Sequence, residues 1–135
     1  MADVAPNTSA EVVLAWADGE YKFALKLKQC DELQRIVGSW SSIIEQLFSM
    51  RPSPRLVYET IRLGLIGGGM DDVKAKQLVD TYVEGRGLFP SDRDGNLHPS
   101  GSGLVAKAIV SAVHFGLEEF ASTKKEQAAT AEATE

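Results

Sequence analysis

The spacing of apolar residues changes once along this chain. From Glu11 to Leu27 it is two, and from Lys28 onward it is about 3.6. In EVVLAWADGEYKFALKL, two runs of β-formers flank Asp18-Gly19, a dipeptide suited to a two-residue turn with positive φ at both positions. A hairpin over residues 11–27 is predicted. Val12, Leu14 and Trp16 share one side of the first strand, and Tyr21, Phe23, Leu25 and Leu27 share one side of the second, with Lys22 and Lys26 facing the other way. A two-stranded hairpin is marginal alone in water, so this apolar face needs cover from the rest of the chain or from another molecule. Trp16, Tyr21 and Phe23 are therefore candidate partner contacts.

The helical pattern that follows is broken at identifiable points. Cys30, Leu33, Ile36 and Val37 form a stripe that stops at Gly38, a residue suited to a helix end. Trp40, Ile43, Ile44, Leu47 and Phe48 recur at the spacing of one buried helical face. RPSPR interrupts it: Pro52 ends the pattern, Ser53 can cap the next helix, and Pro54 suits a first helical position, so a third helix is predicted from about Pro54 to Ile66. Glycines 67–69 then raise the question of a phosphate loop. A P-loop needs a preceding strand and a Gly-Lys-Ser/Thr entry to a helix, whereas here the run before Gly67 is helical and Met70, Asp71 and Asp72 follow. The triplet reads as a corner with Asp71 as N-cap. A fourth helix carries Met70, Val73, Ala75, Leu78, Val79, Tyr82 and Val83 and ends near Gly85.

Residues 86–101 form a long segment rich in Gly, Pro, Ser and Asp, and loops of this length are usually functional or mobile. DRDGN within it lacks the first and twelfth ligands of an EF-hand and reads as an ordinary Asp-Gly turn. Leu88, Phe89 and Leu97 either pin this loop to the domain or form an exposed contact point. The last helix carries Val105, Ile109, Ala112, Val113, Gly116, Leu117 and Phe120 on one face. The fold expected is mainly α: a bundle of four to five helices with an N-terminal β-hairpin. Residues 11–122 form one domain, with helices over 28–120, between a flexible lead at 1–10 and a disordered tail at 123–135.

Composition narrows the function. The chain has 135 residues, 44% of them apolar and 24% charged, as an ordinary single domain has. A net charge of −5 argues against affinity for a phosphate backbone, so no nucleic acid is expected. No apolar run approaches the roughly 20 residues of a membrane helix. One cysteine, Cys30, forms no internal disulfide, and no leader opens the chain, which points to a soluble protein of the cytoplasm with no membrane partner. Catalytic constellations are missing as well. His98, His114 and Cys30 do not have metal-ligand spacing, no serine lies in a nucleophile motif, and the adjacent acids Asp71-Asp72 and Glu118-Glu119 diverge on a helix. The expectation is no catalytic residue, no metal and no cofactor.

The order of these elements resembles a family. A leading hairpin with an aliphatic-Lys-Leu end, a short helix stopping at Gly38, LVYETIRLGLIGGG with its Gly-Leu pair and glycine triplet, and DDVKAKQLVDTYVEG are similar to the small tail proteins of gene transfer agents and related long-tailed phages. The resemblance covers about residues 11–85. Such proteins are regarded as tail assembly chaperones, although some carry the label of tail tube proteins. It implies a non-enzymatic partner of the tape-measure protein, and of the tail tube protein, in a bacterial host cell. The alternative is a structural virion subunit, a tube or connector protein. A third and weaker reading, a small enzyme using Asp or Glu, would need a deep polar pocket with raised carboxylate pKa values.

Overall fold

The computed structural model describes residues 11–116. The lead at 1–10, the tail at 123–135 and the predicted stretch of the last helix through Leu117 and Phe120 lie outside them. Two strands, β1 (Val12–Trp16) and β2 (Gly19–Phe23), are followed by five helices: α1 (Leu27–Val37), α2 (Trp40–Phe48), α3 (Pro54–Gly67), α4 (Asp72–Tyr82) and α5 (Ser102–Phe115). The architecture is the expected one, mainly α with an N-terminal hairpin.

The hairpin is antiparallel, pairing Val12 with Phe23, Leu14 with Tyr21 and Trp16 with Gly19. The turn therefore consists of Ala17 and Asp18, one residue earlier than predicted, with positive φ at Ala17 (57°). Setting a glycine opposite Trp16 leaves room for the indole, which packs edge-on against Tyr21, Phe23 and Tyr82 at centroid distances of 5.8, 6.2 and 6.0 Å. The ladder stops at Phe23 rather than at residue 27. Ala24 and Leu25 remain buried, but Leu27 starts α1 and is 78% exposed, so it is no strand residue on the packed face. Gln29 receives the Lys26 N–H on its side-chain oxygen at 3.0 Å, which satisfies a donor at the helix start and fixes the change of direction.

Helix α3 is the central element. Leu56, Val57, Ile61, Leu63 and Leu65 are buried on it, and α1, α4, α5 and β2 all pack around it. Its start follows the predicted chemistry, with the Ser53 hydroxyl accepting the Leu56 N–H at 3.1 Å and Pro54 in first place. Its end is more than a corner. A Cβ on Gly67 would lie closer than 3.0 Å to the Ala24 carbonyl oxygen, and one on Gly68 would meet that of Lys22. One turn earlier, a Cβ on Gly64 would sit 3.2 Å from the Phe23 ring, and the Ala24 N–H donates to the Gly64 carbonyl at 3.0 Å. The small residues let the hairpin backbone settle directly on the helix. Asp71 then caps α4 as predicted, accepting the Lys74 N–H at 3.2 Å.

Four helices differ from the pattern: Ile36 on α1 and Val73 on α4 are exposed, to 39% and 64%, and Met70 precedes the Asp71 cap instead of lying on α4. On α2 the buried positions are Ile43 and Leu47; Trp40 and Ile44 are half-buried, and Phe48 is 38% exposed because the packed face is narrower than the apolar stripe. Helix α5 ends at Phe115, where Gly116 adopts φ 96°, so Gly116 terminates the helix instead of sharing its core face.

Candidate partner-binding groove

The predicted contact residues separate into buried and exposed ones. Trp16 and Phe23 are core residues: the cover for the apolar face of the hairpin comes from α3, α5 and Tyr82 of the chain itself. The Trp16 indole N–H donates to the Ser102 hydroxyl at 3.0 Å, which ties the hairpin to the first turn of α5. Tyr21 is half-buried, and its hydroxyl donates to Asp18; that hydrogen bond, before the smaller effect of burial, pushes its pKa up to about 12.

Leu88 and Phe89 are half-buried and pin the loop. The Gly103 N–H donates to the Leu88 carbonyl at 2.7 Å, and a Cβ on Gly103 would collide with the Phe89 ring at 2.5 Å. Leu97 is exposed and forms an isolated antiparallel bridge with Ser91. DRDGN is a turn organised by Asp92, whose carboxylate accepts the Asp94 and Asn96 N–H groups at 2.8 and 3.0 Å. The hydrogen bonds from Asn96 and Asp94 hold its pKa below the usual carboxylate value, against slight burial. Among the described residues no cluster of three or more His, Cys, Asp or Glu could hold a metal ion.

A groove of about 640 Å³ runs between α1 and α3 and reaches the start of α4. Leu63 and Ile66 from α3 and the exposed Leu27 from α1 give it an apolar floor and end. Charged residues rim it. Glu32 and Arg35 on α1 pair at 2.7 Å, and across the groove Arg62 is held by the buried Glu59 at 2.7 Å, with Asp72 at 3.6 Å. Glu59 also takes Arg55 at 3.3 Å, so its carboxylate is paired twice and Arg62 is fixed as part of the wall. An apolar trough walled by fixed charges of both signs matches an amphipathic helix whose flanks carry charges of their own. Helix α1 has 11 residues, which gives a docking length of about three turns. The sequence reading missed this site because Leu27 was placed on a strand and packed; an α1 starting at Leu27 is the signal that would have revealed it.

A second exposed apolar area lies where α2 meets α5. Phe48 and Phe115 stack at 5.6 Å, Trp40 donates its indole N–H to His114 Nδ1 at 3.0 Å, and the Lys107 ammonium lies 5.2 Å from the Phe48 ring centre. His114 is thus an exposed acceptor in an aromatic cluster.

Comparison with known proteins adds one finding. The family described as phage tail tube protein, GTA-gp10, matches residues 9–90. The chain belongs to this phage tail family. The match spans the hairpin and α1 to α4, hence every element that lines the groove; α5 lies beyond it. No curated protein and no solved structure matches the chain. Among the described residues, no helix of this phage tail protein is long and apolar enough to cross a membrane.

Proposed function

We propose that this phage tail protein is a non-enzymatic tail assembly chaperone that acts in the cytoplasm of the bacterial host. It holds helical, apolar stretches of the tape-measure protein in the α1–α3 groove until tube subunits assemble around them. The observation that carries this reading is the groove itself, whose apolar floor ends in a leucine 78% exposed and whose walls are charged. A long helical chain with apolar faces needs such cover to remain soluble, and a groove of three turns supplies it without catalytic groups. Two carboxylates with displaced pKa values, Asp80 and Asp92, are pulled down, opposite to the direction that an acid catalyst needs. Co-expression with the tape-measure protein of the same genome tests the role. Its soluble fraction should rise with this chain and fall back with Leu27→Asp; no change with the wild-type chain would rule the chaperone out.

A structural tail subunit is the second reading, favoured by the description of the family as tail tube protein. A tube wall requires two complementary faces on each subunit, of about 800 Å² per partner. The exposed large apolar residues of the described region lie on different elements: Val13 on β1, Leu27 and Ile36 on α1, Val73 on α4, Leu97 in the loop, and Phe48 with Phe115 at α2–α5. Purified particles separate the two roles. A chaperone is absent from them, and a tube subunit is present at high, fixed copy number.

A further inference from the structure

Six charged side chains rim the α1–α3 groove, and the chain itself answers four of them: Glu32 pairs with Arg35, and Arg62 with Glu59 and Asp72. The other two, Lys28 and Asp31, are exposed. Among the described residues neither side chain makes an ion pair or a hydrogen bond, although the two stand three residues apart with opposite charge. Their order along α1 is also the unfavourable one. The first turn of α1 contains Lys28 and no acidic residue, and Lys26 precedes it. A helix N-terminus favours carboxylates and disfavours cations, so Lys28 stands against the helix dipole with nothing local to offset it, while Asp31 lies a turn beyond the positions where a carboxylate would help. Leu27, 78% exposed, sits between the two lysines. The mouth of the groove thus combines an uncovered leucine, an unanswered cation and an unanswered carboxylate.

Given a helix in this groove, as proposed above, we infer that it brings a carboxylate to Lys28 and, one turn farther along the same flank, a cation to Asp31. Three residues of helix span about 4.5 Å, so an occupant lying along α1 meets both with an acid and a base three or four positions apart. The apolar stripe beside that flank covers Leu27. A carboxylate at Lys28 also removes the conflict in the first turn, because it brings negative charge to the positive end of the α1 dipole. The apolar floor supplies attraction for any amphipathic helix, and the unanswered pair selects among them. A helix that presents the same two charges in the reverse order sets a cation against Lys28 and a carboxylate against Asp31, and the like charges reject it.

Competition between two tagged chains for a limiting amount of the tape-measure protein of the same genome tests this selection. One chain is wild type; the other carries Lys28→Asp with Asp31→Lys, which exchanges the two charges and keeps the net charge. Mass spectrometry of the purified complex reads the ratio of the two chains. At about 0.1 M salt the wild-type chain should be retained about tenfold over the exchanged one, and at about 1 M, where screening acts within about 3 Å, the ratio should approach one. The exchanged chain should melt no lower than wild type, since aspartate suits the first turn of a helix. A lower melting temperature would assign Lys28 to the fold and overturn the inference. Equal retention at low salt, or a preference that persists at high salt, would overturn it and leave the helix-binding groove standing. Recovery of neither chain with the tape-measure protein would overturn both.

Discussion

Helix α3 meets its neighbours in opposite ways on two flanks. Toward β2 it presents Gly64, Gly67 and Gly68, and the hairpin backbone lies so close that no side chain fits between them. Toward α1 it presents Arg62, Leu63 and Ile66, and about 640 Å³ stays open. Residue size decides which flank is sealed. Glycine allows backbone on backbone with a direct Ala24–Gly64 hydrogen bond, whereas toward α1 the longer side chains pack helix on helix and leave a surface trough with an apolar floor between charged walls. The sealed flank carries stability, and the open one is the flank to which we assign binding.

Substitutions on the two flanks should therefore separate stability from function. Phe23→Ala removes a fully buried ring from the sealed side and should cost about 3–5 kcal/mol in urea unfolding. Gly67→Ala adds one methyl group against the Ala24 carbonyl, and because backbone must move to admit it, a loss of about 3 kcal/mol is expected by the same measurement. A Gly67→Ala protein as stable as wild type would dissolve the contrast between the flanks.

The contact of α3 with α4 adds a pH dependence. The Tyr58 hydroxyl donates to Asp80 at 2.6 Å, and Lys76 reaches the same carboxylate at 2.8 Å. Burial, then the hydrogen bond to Asp80, pushes the Tyr58 pKa up to about 12 from 10.0. A phenol whose pKa is raised by folding contributes stability that is complete below pH 10 and lost as pH rises through about 12. Alkaline titration of the urea midpoint should show that loss together with the like contribution of Tyr21, and Tyr58→Phe should make it smaller, leaving the part due to Tyr21. The hydrogen bonds from Lys76, then Tyr58, lower the pKa of Asp80, so its contribution is present at neutral pH and disappears on acidification through the carboxylate range.

The smallest effect on stability is expected on the open flank. Leu27→Asp should change the unfolding free energy by less than about 0.5 kcal/mol, because the side chain is 78% exposed, while it abolishes partner binding in a pull-down.

Much of the fold was legible from local chemistry. Ser53, Pro54 and Asp71 marked helix starts because capping acts within a few residues, and the strand alternation identified the faces of Trp16 and Phe23. The glycine triplet was read correctly as a helix end, but its close approach to the hairpin was hidden, since nothing local reports that residues 22–24 pack on residues 64–68. The candidate site was less legible for the same reason. Trp16 and Phe23 looked like contact residues until long-range packing buried them, and Leu27 looked packed until the strand ended four residues before it. Periodicity shows that a residue has an apolar face. Which face remains uncovered depends on the spacing between whole elements.

Amide hydrogen exchange on this chain, with and without the tape-measure protein of the same genome, addresses the groove most directly. If the α1–α3 groove holds a tape-measure helix, exchange should slow along α1 and through residues 62–67 of α3, and Leu27→Asp should remove the effect while leaving the hairpin amides unchanged. Protection confined to the aromatic cluster of α2 and α5, or no protection in a verified complex, would contradict the account.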